Sequence, residues 1–319
     1  MSVIAVTGAT GKSGQYFLKE LIKNKSALQE SGYSFRFLVR KNSDSSTGNR
    51  GRELLSKVDG EIYEADITKP EELDGFFAEM NGEKVDTLFH IASVLLSPYI
   101  VPTALKHGVS RLVLVHTTGI YSKYKAAGEQ YRKIEEEINR QVNELRQEGK
   151  NLSVTYLRPT MIYGDLEDKN ISVFINMVYK MRLMPVINGG KYDLQPVWCG
   201  DLGKAFYQVL MNPEITADKD YILSGRNPIL LIDMFKVIAK GLGVKNIFVS
   251  CPFPVAYAGA WVIYLLTVGK IDMREKVQRM VEPRAYPHET ATKDFGYNPV
   301  CFEEGVQEEI EMYLQSIDG

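Results

Sequence analysis

The twenty residues His116–Glu135, HTTGIYSKYKAAGEQYRKIE, place tyrosines, lysines and glutamates at helical spacing in several overlapping ways. A tyrosine with a lysine one turn later can exchange a proton with a substrate oxygen, because a nearby ammonium lowers the phenol pKa. Tyr121 and Lys125 have the right types, but they follow the apolar run Leu112–His116 too closely to share a formed helix with a four-residue rise. Tyr131 has Glu135 where its lysine would be. Lys133 lies among Tyr131, Ile134, Ile138, Val142 and Leu145, the apolar stripe of a long helix with charged outer faces, but the position one turn before it is Glu129.

A second stretch has phosphate chemistry. VIAVTGATGKSG is an apolar run leading into Gly8-x-x-Gly11-x-x-Gly14, and Phe17, Leu18, Leu21 and Ile22 then mark one helical face. Glycines at a strand–helix junction permit a tight turn and close approach to a pyrophosphate, whose charge meets free helix N–H groups. Gly8, Thr10, Gly11, Lys12, Ser13 and Gly14 are the expected cofactor-binding residues of this loop. The embedded GKS is no triphosphate loop, since that motif needs glycine where Val6 stands. The next run, FRFLV, ends in Arg40-Lys41 instead of a carboxylate. Unless these are solvated loop charges, they favour a ribose 2′-phosphate and so NADP, with NAD the alternative.

The elements that must hold these residues alternate. Apolar, β-branched runs at Val3–Thr7, Phe35–Val39, Glu61–Ala65, Thr87–Ile91, Leu112–His116 and Ser153–Leu157 are separated by amphipathic segments. This pattern predicts an α/β fold, a Rossmann-type doubly wound parallel sheet covered on both faces, with ligands at the carboxyl ends of its strands. After Pro159 loops lengthen, which predicts a smaller, mostly helical C-terminal substrate lobe. The expected division is a dinucleotide domain of residues 1–164, to which 195–225 return, and a lobe of 165–194 and 226–319. KNSDSSTGNRGR, residues 41–52, reads as a flexible loop.

Composition limits the partners. A formal net charge of -2 over 319 residues argues against nucleic acid. Four histidines without an HxxH spacing argue against a metal site, and three dispersed cysteines with an uncharged start fit a reducing cytoplasm. The apolar segment Pro252–Gly269 nears membrane-spanning length, but its early prolines favour a helix packed in the core or in a homodimer interface over a membrane contact or a greasy substrate pocket.

Taken together these motifs resemble the extended or atypical short-chain dehydrogenase/reductases, the NAD-dependent epimerase/dehydratase family, almost end to end. Ala65-Asp66-Ile67 matches the family's aspartate-plus-aliphatic pair at the adenine, and His90-Ile91-Ala92-Ser93 its small-residue turn under the cofactor. Arg158-Pro159-Thr160-Met161-Ile162-Tyr163-Gly164 resembles the segment beside the nicotinamide, which implies cofactor contacts from Pro159 and Ile162. Gln195-Pro196-Val197, Asp201-Leu202 and Gly296-Tyr297-x-Pro299 are similar to family punctuation. The resemblance maps Thr117 onto the catalytic hydroxyl, Tyr121 onto a substrate neighbour, and Lys133, with Glu137 a turn later, onto the ribose-binding lysine. It implies an epimerase/dehydratase-type or reductase enzyme that moves a hydride at a carbonyl or alcohol carbon of a small or nucleotide-linked substrate. Proton transfer would fall to Tyr121, Glu129 or a water held by Thr117, with Arg158, Tyr163 and Trp198 near the cleft. The absent Tyr-x-x-x-Lys leaves a rival: a non-catalytic cofactor-sensing or assembly protein.

Overall fold

The computed structural model describes residues 2–41, 46–79, 82–124 and 126–318. Seven strands form one parallel sheet: β1 (Ser2–Thr7), β2 (Tyr33–Val39), β3 (Glu61–Glu64), β4 (Val85–His90), β5 (Arg111–Val115), β6 (Ser153–Pro159) and β7 (Asp220–Leu223), in the order β7-β6-β5-β4-β1-β2-β3. The order reverses between β1 and β4, whose register sets Thr7 beside His90. That switch point opens a crevice at the strands' carboxyl ends.

Both faces of the central strands are buried, which explains their nearly unbroken apolar runs. Ile4, Val6, Phe89 and Val113 pack under the helix α1 (Lys12–Lys23) and the helix Cys199–Met211, where Phe17 stacks on Phe89 at 5.1 Å. Val3, Ala5, Leu88 and Leu112 face the helices Ser97–Lys106 and Gly128–Gln147, which contribute Ile100, Val101, Ile134, Ile138 and Val142. A third core joins the helices Ile171–Lys180, Leu231–Gly241 and Phe302–Asp318 through Ile175, Met234, Ile238, Val306 and Ile310. The parallel strands Leu183–Ile187 and Ile247–Cys251 lie beside it.

Three elements depart from the sequence reading. Within 41–52, Asn42–Ser45 lie outside the described residues, but Ser46–Leu55 is a helix. It is tertiary packing that orders it: Gly51 sits so close to the glycine loop that a Cβ there would be 2.5 Å from the Thr10 carbonyl oxygen. Ala291, Phe295 and Tyr297, expected in the lobe, pack in the core of the sheet domain, where the Tyr297 hydroxyl donates to the Ser224 carbonyl at 2.8 Å. The apolar segment forms the helix Phe253–Leu266, but Ala260 alone in it is buried, so it is not a core helix. Among the described residues no helix is long and apolar enough to cross a membrane.

Candidate functional site

The crevice at the switch point is a cavity of about 850 Å³ lined by the whole glycine loop, Gly8 to Gly14 save Ala9, with Arg40, Asp66, Ile67, Ala92, Ser93 and Ile162. Each glycine has its own reason. Gly8 is left-handed at φ +77°, and a Cβ on it would lie 2.5 Å from the Ala92 nitrogen. On Gly14 a Cβ would lie 2.2 Å from the Gly8 carbonyl oxygen, so this residue lets the helix begin against the loop. Gly11 is less crowded, but a Cβ on it would still make a tight 3.2 Å contact with the Gly8 carbonyl oxygen. No side chain caps the first turn of α1, so its N–H groups face the cavity beside Lys12 and Ser13. These features fit a pyrophosphate.

At the far end, Thr68 donates to Asp66 through its backbone N–H at 3.0 Å and its hydroxyl at 2.7 Å, which holds that carboxyl below the usual range. Lys41 is engaged by Glu72 at 3.2 Å, whereas Arg40 has no carboxylate partner among the described residues. An Arg52 guanidinium N–H donates to the Arg40 carbonyl, bringing a second arginine to this corner. Beneath the crevice Thr7 bonds the fully buried His90 at 2.6 Å; burial, with His116 nearby, pushes that imidazole down to about 3.

A second cavity of about 240 Å³ shares Ile162 and Asn170 with the first. Thr117, Thr118, Ser122, Gln195 and Tyr286 line it together with Arg279 and Arg284. Thr117 caps a short turn, accepting from Gly119 N–H at 3.0 Å, and Thr118 donates to the Pro159 carbonyl at 3.2 Å. Pro159 thus backs the wall instead of lining it. The Ser122 hydroxyl donates to Glu282 at 2.6 Å. Both arginines bury an Nε without a partner, and burial plus the Arg279 charge pulls Arg284 down to about 10. Two crowded guanidinium groups in a small cavity have the chemistry to receive an anion. Nothing in the spacing of 279–286 marks it in the sequence.

The long helix settles where the opening stretch points. Glu135, not Glu137, faces the sheet: it is buried, accepts from both Arg158 Nη atoms at 2.6 and 2.9 Å, and meets His116 at 2.8 Å. Glu137 is spent on Arg140 at the surface. With the buried glutamate as landmark, the position one turn earlier is Tyr131, and the one before that is Ala127. Lys133, expected at the ribose, is 71% exposed, lies 3.8 Å from Glu129, and borders a groove with Pro98 and Pro102, outside both cavities. The cause is rotation: at about 100° per residue, position 133 turns away from the face that 131, 135 and 138 present inward. Glu129 is exposed and held by Arg132 at 3.0 Å.

Tyr121 ends the 3-10 turn Thr118–Tyr121, half exposed, with its ring 5.8 Å from that of Tyr286. Lys125 lies outside the described residues. Arg158 is committed to Glu135 and Asp220, Tyr163 is buried in the lobe core, and Trp198 packs over Gly164 and Gly200, so none of the three lines either cavity. Asp168, Lys169, Asn170 and Cys199 are cavity residues that sequence reasoning missed.

A doubly wound sheet with a glycine-lined crevice at its switch point defines a dinucleotide-binding α/β protein. The NAD dependent epimerase/dehydratase family model matches residues 4–223, more than half of the chain, and the protein belongs to that family. Among solved structures the whole chain is similar in fold to UDP-glucose 4-epimerase of Thermotoga maritima, determined with UDP-glucose (17% identity, 99% of each chain, TM-score 0.69). It is likewise similar to dTDP-glucose 4,6-dehydratase of Bacillus anthracis in complex with NAD (16% identity, 100% of this chain and 98% of that one, TM-score 0.68). A subunit of Arabidopsis thaliana mitochondrial NADH dehydrogenase, alpha subcomplex subunit 9, is 27% identical over 106 residues, a match spanning 33% of this chain and 26% of that relative's length.

Proposed function

We propose that the protein is an NAD(P)-dependent enzyme of epimerase/dehydratase or reductase type, acting by hydride transfer on a nucleotide-linked substrate. The observation that carries this reading is the pairing of two cavities that share Ile162 and Asn170, one holding a glycine cradle and the other two arginines. The dinucleotide, when bound, supplies a hydride acceptor or donor. Gly8, Thr10, Gly11, Lys12, Ser13 and Gly14 hold its pyrophosphate, Asp66 and Ile67 its adenine end, and Ala92, Ser93 and Ile162 its remainder. Arg40 receives a 2′-phosphate, which makes NADP the preferred form.

Arg279 and Arg284 grip the substrate's phosphates, and Thr117 hydrogen-bonds the oxygen whose carbon is oxidised or reduced. A threonine hydroxyl is too weak an acid to hold the charge, so it positions a water that relays the proton to and from bulk solvent. Tyr121 borders the substrate by way of Tyr286. UDP-glucose, a ligand of one structural neighbour, is a starting probe for this class of substrate.

Fluorescence titration tests the cofactor claim: NADPH should bind more tightly than NADH, and Arg40→Asp should reverse the order. Equal or NADH-favouring affinity in the unaltered protein removes it. Single-turnover absorbance at the nicotinamide band tests the activity. With a nucleotide-diphosphate sugar panel, Arg284→Ala should raise KM, and Thr117→Val should lower kcat. No turnover, together with intact dinucleotide binding, would support the sensing or assembly role instead.

A further inference from the structure

We propose that the hairpin of helices Phe253–Leu266 and Arg274–Met280 docks on an anionic phospholipid bilayer, with the first helix sunk into one leaflet. From Pro252 to Leu266 the chain has no charged residue, and the helix packs chiefly against its short partner helix. Val255, Trp261, Val262, Ile263, Leu265 and Leu266 are exposed, Leu266 by 79%. At 3.6 residues per turn the exposed positions sweep an arc of roughly 200°. A dimer partner covers a stripe, whereas an apolar arc this wide suits a fluid that closes around the helix. At the tip, Val268 holds φ 51°, a left-handed value costly for a β-branched residue, and its side chain is 87% exposed. The turn stores strain to point an apolar side chain outward.

Polar groups surround this arc as an interface requires. The Arg274 guanidinium lies 4.2 Å from the Trp261 ring centroid and 4.0 Å from that of Tyr264, a cluster suited to headgroup depth. Lys270 and Lys276 flank the hairpin, exposed and without a carboxylate partner among the described residues. The chain's net charge of -2 repels an anionic surface and Asp272 pairs Arg274 at 2.7 Å, so any attraction has to come from Lys270 and Lys276. Fourteen residues make a helix of about 21 Å, short of the ~30 Å hydrocarbon core, so it lies in one leaflet and does not span. The short helix also carries Arg279 into the 240 Å³ cavity, so docking holds one wall of that cavity at the leaflet surface.

Full-length protein should sediment with phosphatidylcholine–phosphatidylglycerol vesicles, less with phosphatidylcholine alone, and less as salt rises. Vesicles with bromine-labelled acyl chains should quench the emission of Trp261, and Trp261→Phe should abolish the quench. The triple change Leu265→Glu, Leu266→Glu, Val268→Glu should weaken vesicle affinity by about a hundredfold or more while dinucleotide titration stays unchanged. Lys270→Glu with Lys276→Glu should remove the preference for anionic lipid. The proposal is overturned if the unaltered protein remains in the supernatant. It is equally overturned if the protein sediments without Trp261 quenching, or if it is a dimer that binds no vesicle and that the triple change converts to monomer.

Discussion

Glu135 and Arg158 meet as a two-pronged buried ion pair, Nη1–Oε1 2.6 Å and Nη2–Oε2 2.9 Å, between the long helix and β6. Arg158 continues to Asp220 on β7 at 2.7 Å and Glu135 to His116 at the end of β5, so one carboxylate ties the helix to three strands. Burial alone would raise the Glu135 pKa, but hydrogen bonds from His116 and Arg158 outweigh it and hold the group below its usual range.

The first prediction follows from that pair. Glu135→Ala leaves Arg158 and His116 without their shared partner and should cost about 3 kcal/mol of stability in urea unfolding. Glu137→Ala, at the surface, should leave the midpoint unchanged. The pH sign is also set: a depressed carboxylate contributes stability above its unfolded value of 4.5, and that contribution is lost as pH falls. Equal effects of the two alanine changes would sink the assignment of Glu135 as the helix's anchor.

Glu309 should act in the opposite direction. Burial first, then the Asp168 charge, pushes it up to about 10, while Gly164 N–H donates to it at 2.9 Å. The folded state therefore keeps a proton that the unfolded state loses above 4.5, and this group's contribution falls as pH rises toward about 10. The slope is at most about 1.4 kcal/mol per pH unit. Glu309→Gln, which keeps an acceptor for Gly164, should flatten the alkaline decline of Tm. An unchanged Tm–pH curve would show that Glu309 is ionised in the fold.

Gly11 and Gly14 should separate binding from folding. A Cβ at Gly14 would sit 2.2 Å from the Gly8 carbonyl and 2.6 Å from that of Ala9, so Gly14→Ala must move backbone and should destabilise the protein by about 1–3 kcal/mol. Gly11→Val should leave a folded protein, by circular dichroism and melting, that no longer binds dinucleotide. Retained dinucleotide affinity in folded Gly11→Val would argue against the pyrophosphate site.

Lys133 offers a test of the helix register. A ribose-binding lysine lost to alanine would weaken dinucleotide affinity by about tenfold or more. From its exposed place beside Glu129, Lys133→Ala should change affinity by less than about twofold. A tenfold loss by titration calorimetry would return Lys133 to the site and overturn the geometry argued for Tyr131.

By itself the sequence determined the parallel sheet, the glycine loop and the basic end of β2. These are local matters: strand period, turn chemistry and a strand–helix junction are written in neighbouring residues. Tertiary structure decided the rest. Helical period placed 131, 134 and 138 on one face, but only the approach of Arg158 from β6 selected Glu135 over Glu137 as the buried acid. Arg279 and Arg284 reach the cavity of Thr117 across more than 160 positions of chain, which no spacing rule records. Packing of Gly51 on Thr10 ordered a segment whose composition reads as loop. The apolar run 252–269 was legible as a helix, yet apolarity says only that water is disfavoured around it. Whether protein or some other phase excludes that water depends on what the fold packs against it, and here the fold leaves most of the helix uncovered.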